Sequence, residues 1–306
     1  MIELKKEELM KNRGYSATLG AGYHLLADNF KAIFRQTWAY ALLYALVIGG
    51  WTVLMGAMRE EPSPLLGVGM LALVIAIIVA DIFLYAKVCE MLNQQSMRWN
   101  VGRFTKVVFF WVALAIAIGI VFTAVILLMG LAQGTPDAAM MKDATTMTPD
   151  QSMGVLKMFA VVGLLTVVAM AFVLPLLYPL LKYLMEPDKK LFSTMFGCYG
   201  RGLRHWGYIF VCILLLSLCI GIVSLVLCLP MYVVQMVQNL NQAGILGGDE
   251  SGLPGWFGWL NFGVSTATYF VYGFISLIEF FVAYYIYGSI ETRIRERQKL
   301  TMPTES

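Results

Sequence analysis

The chain has 306 residues, of which 59% are hydrophobic and only 13% charged, with a formal net charge of +3. Soluble domains carry about 25% charged residues, so a chain this apolar cannot cover its own surface in water and needs lipid as part of its solvent. The small net charge gives no reason to expect a nucleic-acid partner. Two histidines are too few for a multi-histidine metal centre, and five cysteines with no CxxC pair make no disulfide framework.

Residues 1–13 are charged and predict a short helix ending at Gly14. From Leu19 the apolar positions Leu19, Tyr23, Leu26, Phe30, Ile33 and Phe34 follow helical spacing, with His24, Asp28, Lys31 and Arg35 on the other faces. This pattern predicts an amphipathic lead-in helix, lying in the headgroup plane or packed on the ends of other helices. No cleavable signal peptide is expected. The first apolar run starts near Thr37, far from the start and longer than the about 7–15 residues of a signal h-region.

Six spans follow, near 37–57, 65–88, 107–132, 154–183, 208–233 and 262–287. Each is long enough to cross ~30 Å of hydrocarbon at ~1.5 Å per residue. The expected organisation is a charged and amphipathic segment 1–36, a six-helix domain 37–290 and a basic tail 291–306. The fold class is therefore an all-α integral membrane protein, six transmembrane helices in three hairpins with amphipathic cytoplasmic lead-ins. The clearest lead-in is 191–207, where Tyr199, Arg201, Arg204, His205 and Trp206 run straight into apolar residues 208–229.

Charge alternates between connections. Segments 1–36, 87–106, 182–207 and 291–306 hold nearly all the basic residues, whereas the other side holds only Arg59, Lys142 and Lys157 among several acids. The positive-inside rule then puts both termini in the cytoplasm of a plasma (inner) membrane. Lys31, Arg35, Arg98, Arg103, Arg201 and Arg204 become the expected contacts to anionic lipid headgroups.

Within span four, LPLLYP places Pro175 and Pro179, which predicts a kink near 174–178. The loops 133–152 and 238–259 are expected on the outer side, with Trp256 and Trp259 in the interfacial belt. Ile118-Gly119-Ile120-Val121 recurs as Ile220-Gly221-Ile222-Val223, and together with the repeated lead-ins this suggests three hairpins of similar design. Ala115, Gly119 and Thr123 form a small-residue face that lets another helix approach.

YHLLADNFKAIFRQTW before span one and MEPDKKLFSTMFGCYGRGLRHW before span five carry a resemblance. They resemble a bacterial six-helix family, the membrane domain attached to some glycerophosphodiester phosphodiesterases, in its stand-alone form. The resemblance implies a six-helix membrane domain. It implies no phosphodiesterase activity, which belongs to a separate catalytic domain for which this chain has no room.

Two acids lie inside spans: Asp81 in span two and Glu279 in span six, at similar depth. A carboxylate at mid-membrane costs at least ~2.5–3.5 kcal/mol on insertion scales, which makes each a functional candidate. Ser265, Thr268, Tyr272, Ser276 and Glu279 recur at three- and four-residue spacing, forming one polar stripe on span six. The stripe lines a polar path or acts as interhelical glue. No HExxH, rhomboid-type serine or aspartate-rich prenyltransferase motif is present. The expectation is a non-enzymatic structural or partner-binding membrane component without cofactor. Its partners would be lipids and another membrane protein or a second copy. The alternative is a small-molecule or lipid transporter using Glu279 and Asp81 as a proton or cation relay.

Overall fold

The computed structural model describes residues 4, 7–60, 63–133, 149–247 and 252–301; the loop 134–148 and the last five residues lie outside them. Among the described residues every regular element is a helix. They are α1 (Tyr15–Glu60), α2 (Pro64–Asn93), α3 (Met97–Gln133), α4 (Pro149–Val173), a short 3-10 turn (Leu174–Leu176), α5 (Leu177–Met185), α6 (Leu191–Arg204), α7 (Trp206–Leu227), α8 (Leu229–Leu246) and α9 (Phe257–Thr301). Six stretches, five single helices and the α4–α5 run, are long and apolar enough to cross a membrane.

Prolines set most of these boundaries, because each removes a backbone donor and clashes with the preceding turn. Pro64, Pro149 and Pro230 open helices, Pro187 separates α5 from α6, and Pro175 with Pro179 breaks the fourth span where the sequence predicts a kink. No proline occurs in 15–60 or 257–301, and both stretches run unbroken for 46 and 45 residues. At ~1.5 Å per residue each is about 70 Å long, roughly twice the hydrocarbon thickness.

These two long helices pack antiparallel and form the axis of the molecule. The Arg13 guanidinium lies over the Tyr285 ring, Phe34 stacks on Phe274, and Gly273 meets Ala41. Gly22 is a point of closest approach, since a Cβ there would sit 2.8 Å from the Val282 backbone nitrogen. Around this axis, Leu25, Ile33, Leu84, Val88, Leu277 and Phe281 join α1, α2 and α9 in one apolar core. A second joins α5, α7 and α9 through Tyr178, Ile209, Cys212 and Ile286. A third joins α2, α3, α5 and α6 through Cys89, Phe104, Leu184 and Met195.

Several expectations are corrected. Residues 7–14 are not helical but form a strap across α9, with Leu9 against Gly288, and Ser289 and Arg293 donating to strap carbonyls. The lead-ins before spans one and three are continuous with their spans, so neither is a separate headgroup-plane helix; only α6 is a distinct lead-in. Span five ends at Leu227 rather than 233, and residues 229–246, read in part as loop, form α8. The most extensive pairing joins the first and last long helices, α1 and α9, followed by that of α1 with α2.

Candidate functional site

Asp81 and Tyr85 sit one turn apart on α2, and Tyr85 faces α9. The Tyr85 hydroxyl donates to Ser276 Oγ at 3.3 Å, and Ser276 in turn donates to the Gly273 carbonyl at 2.9 Å. The Tyr85 ring is held by Phe104 and Phe280, with centroids at 5.7 and 5.5 Å. Both Asp81 and Glu279 act electrostatically on Tyr85. The two acids therefore lie in the neighbourhood of Tyr85. Asp81 is half-buried, whereas Glu279 is exposed at the protein surface.

The polar stripe of α9 extends away from the acids. Tyr44 of α1 is within electrostatic reach of Asp81, Tyr269 and Tyr272. Thr268 and Ser265 are buried, and Ser265 donates to Asn261 Oδ1 at 3.2 Å. Asn261 opens onto a cavity of about 170 Å³ between α1, α8 and α9, lined also by Thr52, Gln235, Gln238 and Tyr269. Along the stripe Ser265 and Thr268 are buried, Tyr272 and Ser276 half-buried and Glu279 exposed, with Tyr85 of α2 bonded to Ser276. Sequence reasoning missed Tyr44, Asn261, Gln235 and Gln238. Asn261 continues the four-residue spacing, and Gln235 with Gln238 share a helix face, so the signal was present. The chemistry available there is hydrogen-bond relay and carboxylate charge.

The opposite half of the molecule, where the basic residues gather, is held by charge and capping. Lys182 Nζ donates to Glu291 Oε2 at 2.9 Å, Tyr178 donates to the same oxygen at 2.7 Å, and Tyr287 donates to Glu186 Oε1 at 2.8 Å. Lys182 also reaches Glu186 at 3.3 Å. These groups tie α5 to α9, and Lys182 and Glu291 are both buried.

Of the basic residues expected at headgroups, Lys31, Arg35, Arg98, Arg201 and Arg204 are exposed, but Arg103 is not. Its guanidinium lies between the Trp99 and Tyr183 rings and donates to the carbonyls of Tyr183, Glu186, Pro187 and Lys189. Those are the last carbonyls of α5 and of the turn after it, which have no intrahelical donor. Arg103 is a cap rather than a headgroup contact.

The proline break is satisfied by α6 and α7. Pro175 cannot bond the Ala171 carbonyl, and Trp206 Nε1 donates to it instead at 3.1 Å; Tyr199 donates to the Phe172 carbonyl at 3.0 Å. Next to them, His205 is buried at the α6–α7 break. Its Nδ1 donates to the Arg201 carbonyl at 2.9 Å, while Nε2 has no partner among the described residues. Burial, with Arg297, Arg293 and Arg204 nearby, holds its pKa below the ordinary 6.5.

Among the described residues no group of three or more His, Cys, Asp or Glu side chains is placed to hold a metal ion. No family model, curated protein or solved structure matches the chain.

Proposed function

We propose that the chain is a multi-pass inner-membrane protein with both termini cytoplasmic and its six spans in three hairpins. In this reading it is the stand-alone form of the six-helix domain it resembles, and its role is structural or partner-binding, without catalysis. The gathering of basic residues on segments 1–36, 87–106, 182–207 and 291–306 supports the orientation. Labelling of cysteines introduced near 190–205 from the outside would contradict it. The exposed Lys31, Arg35 and Arg98 suit anionic headgroups, at roughly 1 kcal/mol each close to the surface.

One observation carries the partner-binding role. The membrane-length window of α9 is 56% buried within the chain, that of α3 0% and that of the fourth span 6%. Helices in lipid are held by packing and close approach, not by the hydrophobic effect, so α3 is fixed within the chain at residues 103–107 and bare along its apolar window. Its small-residue face opens as a groove lined by Ile116, Gly119, Ile120, Thr123, Ala124 and Leu127, with nothing within 4 Å of where a Gly119 Cβ would be. A two-fold axis would pair such a stripe with itself, and a second copy of this chain is the occupant we propose. Native mass spectrometry on protein extracted gently from its own membrane tests this. A dimer supports it, and a monomer carrying only lipid counts against it.

A second reading is favoured by the position of Tyr85. A tyrosine bonded to the α9 stripe at Ser276, with two carboxylates in its neighbourhood, suits a proton or cation relay. Glu279→Gln preserves shape and hydrogen bonding while removing charge. A relay requires this variant to fold but to lose proton movement in vesicles. Structural glue, at about 0.6 kcal/mol per contact, leaves it near neutral.

A further inference from the structure

The cavity of about 170 Å³ between α1, α8 and α9 lies by the last turns of α1 and the first turns of α9. That is the far end of both helices from Lys31, Arg35, Arg293 and Arg297. Its polar lining is Trp51, Thr52, Gln235, Gln238, Asn261 and Tyr269, and no charged side chain lines it. Two of these groups are committed. The Thr52 hydroxyl donates to the Gly49 carbonyl at 2.8 Å, and Asn261 Oδ1 accepts from Ser265 at 3.2 Å. Among the described residues the Gln235 and Gln238 amides, the Trp51 indole N–H and the Tyr269 hydroxyl make no hydrogen bond, yet none of these atoms is closed off from a water-sized group. Gln235 and Gln238 share a face of α8 with the buried Met231 and Val234, so both point into the bundle. Gln238 reaches α1, since its Nε2 would lie 3.1 Å from a Cβ placed on Gly56. Membrane helices use glutamine and asparagine to bond one another across an interface. These two glutamines bond no helix among the described residues, so interhelical glue does not account for them. An amide left without a partner costs free energy until something supplies the bond.

We propose that this cavity binds a small uncharged polyol, either free or as the neutral head of a lipid. The lining selects that class. With no charged side chain in the wall, an ion would shed its water and find no counter-charge. Each glutamine amide sets an accepting carbonyl beside a donating NH2, and a hydroxyl both donates and accepts, so neighbouring hydroxyls on one carbon frame match the two amides. The Trp51 N–H and the Tyr269 hydroxyl add donors. The Thr52 oxygen, whose proton is used on Gly49, keeps its capacity to accept. Ile48, Met55 and the Trp51 ring form an apolar wall against which the carbon frame can lie. A bare amide such as urea leaves that wall uncovered, and an alcohol with a single hydroxyl leaves an amide unmatched. At ~30 Å³ for each water-sized group the cavity has room for at least about six, which spans the sizes from a triol to a monosaccharide. The inference goes beyond both readings above and depends on neither.

The test uses the full chain in phosphatidylcholine nanodiscs. Glycerol, erythritol and glucose are titrated by saturation-transfer NMR beside the charged counterparts glycerate and gluconate. In parallel, nanodiscs doped with a glucosyl diacylglycerol are compared with nanodiscs doped with phosphatidate by native mass spectrometry. Binding of the free polyols, with the acids weaker by about tenfold or more, assigns a soluble ligand. Retention of the glucosyl lipid over phosphatidate without soluble binding assigns a lipid head. In either case Gln235→Leu and Gln238→Leu should each weaken binding by about three- to tenfold, the loss of one neutral hydrogen bond. Gly163→Ala on α4, outside the cavity and with nothing within 4 Å, should leave it unchanged. Gly56→Ala keeps every polar lining group but brings a methyl against the Gln238 amide, and it should weaken binding to a similar extent. It decides the matter if a glutamine variant fails to fold. Acids bound as well as the neutral polyols, equal retention of both lipids, binding indifferent to the cavity variants, or no binding of any probe overturns the proposal.

Discussion

Lys182 on α5 and Glu291 on α9 meet at 2.9 Å with both side chains buried, 109 residues apart in sequence. Burying two charges is worthwhile only when geometry and extra hydrogen bonds compensate. Here Tyr178 donates to the same Glu291 oxygen, while Glu186 and Tyr287 complete the network on the other side. Lys182→Met should leave Glu291 buried with only Tyr178 and the longer Arg295 contact and destabilise the protein by up to about 3–5 kcal/mol, and Glu291→Leu, which leaves Lys182 only Glu186, should act in the same direction. The double variant should recover much of the loss. Denaturant or thermal unfolding in detergent measures all three, and additive losses would show that the pair is not coupled.

Arg103 separates a cap from a charge. Four carbonyls converge on its guanidinium, an arrangement that an ammonium with one nitrogen cannot reproduce. Arg103→Lys should therefore destabilise by at least ~1.5–3 kcal/mol although the charge is kept. A headgroup contact would tolerate lysine, so unchanged stability in this variant would return Arg103 to the membrane surface.

Gly202 lies where α6 crosses the proline break. A Cβ built there would collide with the Pro175 carbonyl, whose i+4 amide donor is missing because Pro179 has no N–H. Gly202→Ala should cost about 1–3 kcal/mol through overpacking. Gly197→Ala and Gly200→Ala on the same helix, with nothing within 4 Å, should be neutral or stabilising by up to ~1 kcal/mol from helix propensity. Melting temperatures of the three variants decide it. Equal behaviour would place α6 away from the break.

His205 gives the protein an acid sensitivity. Burial, Arg297, Arg293 and Arg204 disfavour its cation in the folded state and hold its pKa below 6.5. As pH falls through 6.5 the unfolded chain takes up a proton that the folded chain resists, so the contribution of neutral His205 is present above that value and lost below it. Thermal scans on either side of 6.5 should show a fall in Tm that is smaller in His205→Gln. An equal fall in both would assign the acid loss to other groups.

What could be read from the sequence follows the range of each constraint. The break at 174–176 was legible because proline acts on its own turn, and the six apolar stretches were legible because each is a local run. Residues 15–36 and 37–57 look like two elements in hydropathy, but nothing in the backbone interrupts them, so they fold as one helix. Arg103 and Arg204 look alike in sequence; only the packing of α3 against the end of α5 buries the first and leaves the second exposed. Lys182 and Glu291 carry no mutual signal at all, since their pairing exists only once α5 meets α9. Around the acids, the α9 stripe was legible as spacing, while Tyr44 and Tyr85 joined it only through tertiary contact.

Cross-linking along α3 in the native membrane tests the central claim most directly. In a chain whose five cysteines are replaced by alanine, Gly119→Cys should form a disulfide-linked dimer on mild oxidation, because the stripe faces its copy. Ala117→Cys, also exposed but pointing to another side of the helix, should not. No dimer at 119, or dimers formed equally at both positions, would contradict self-association through this face.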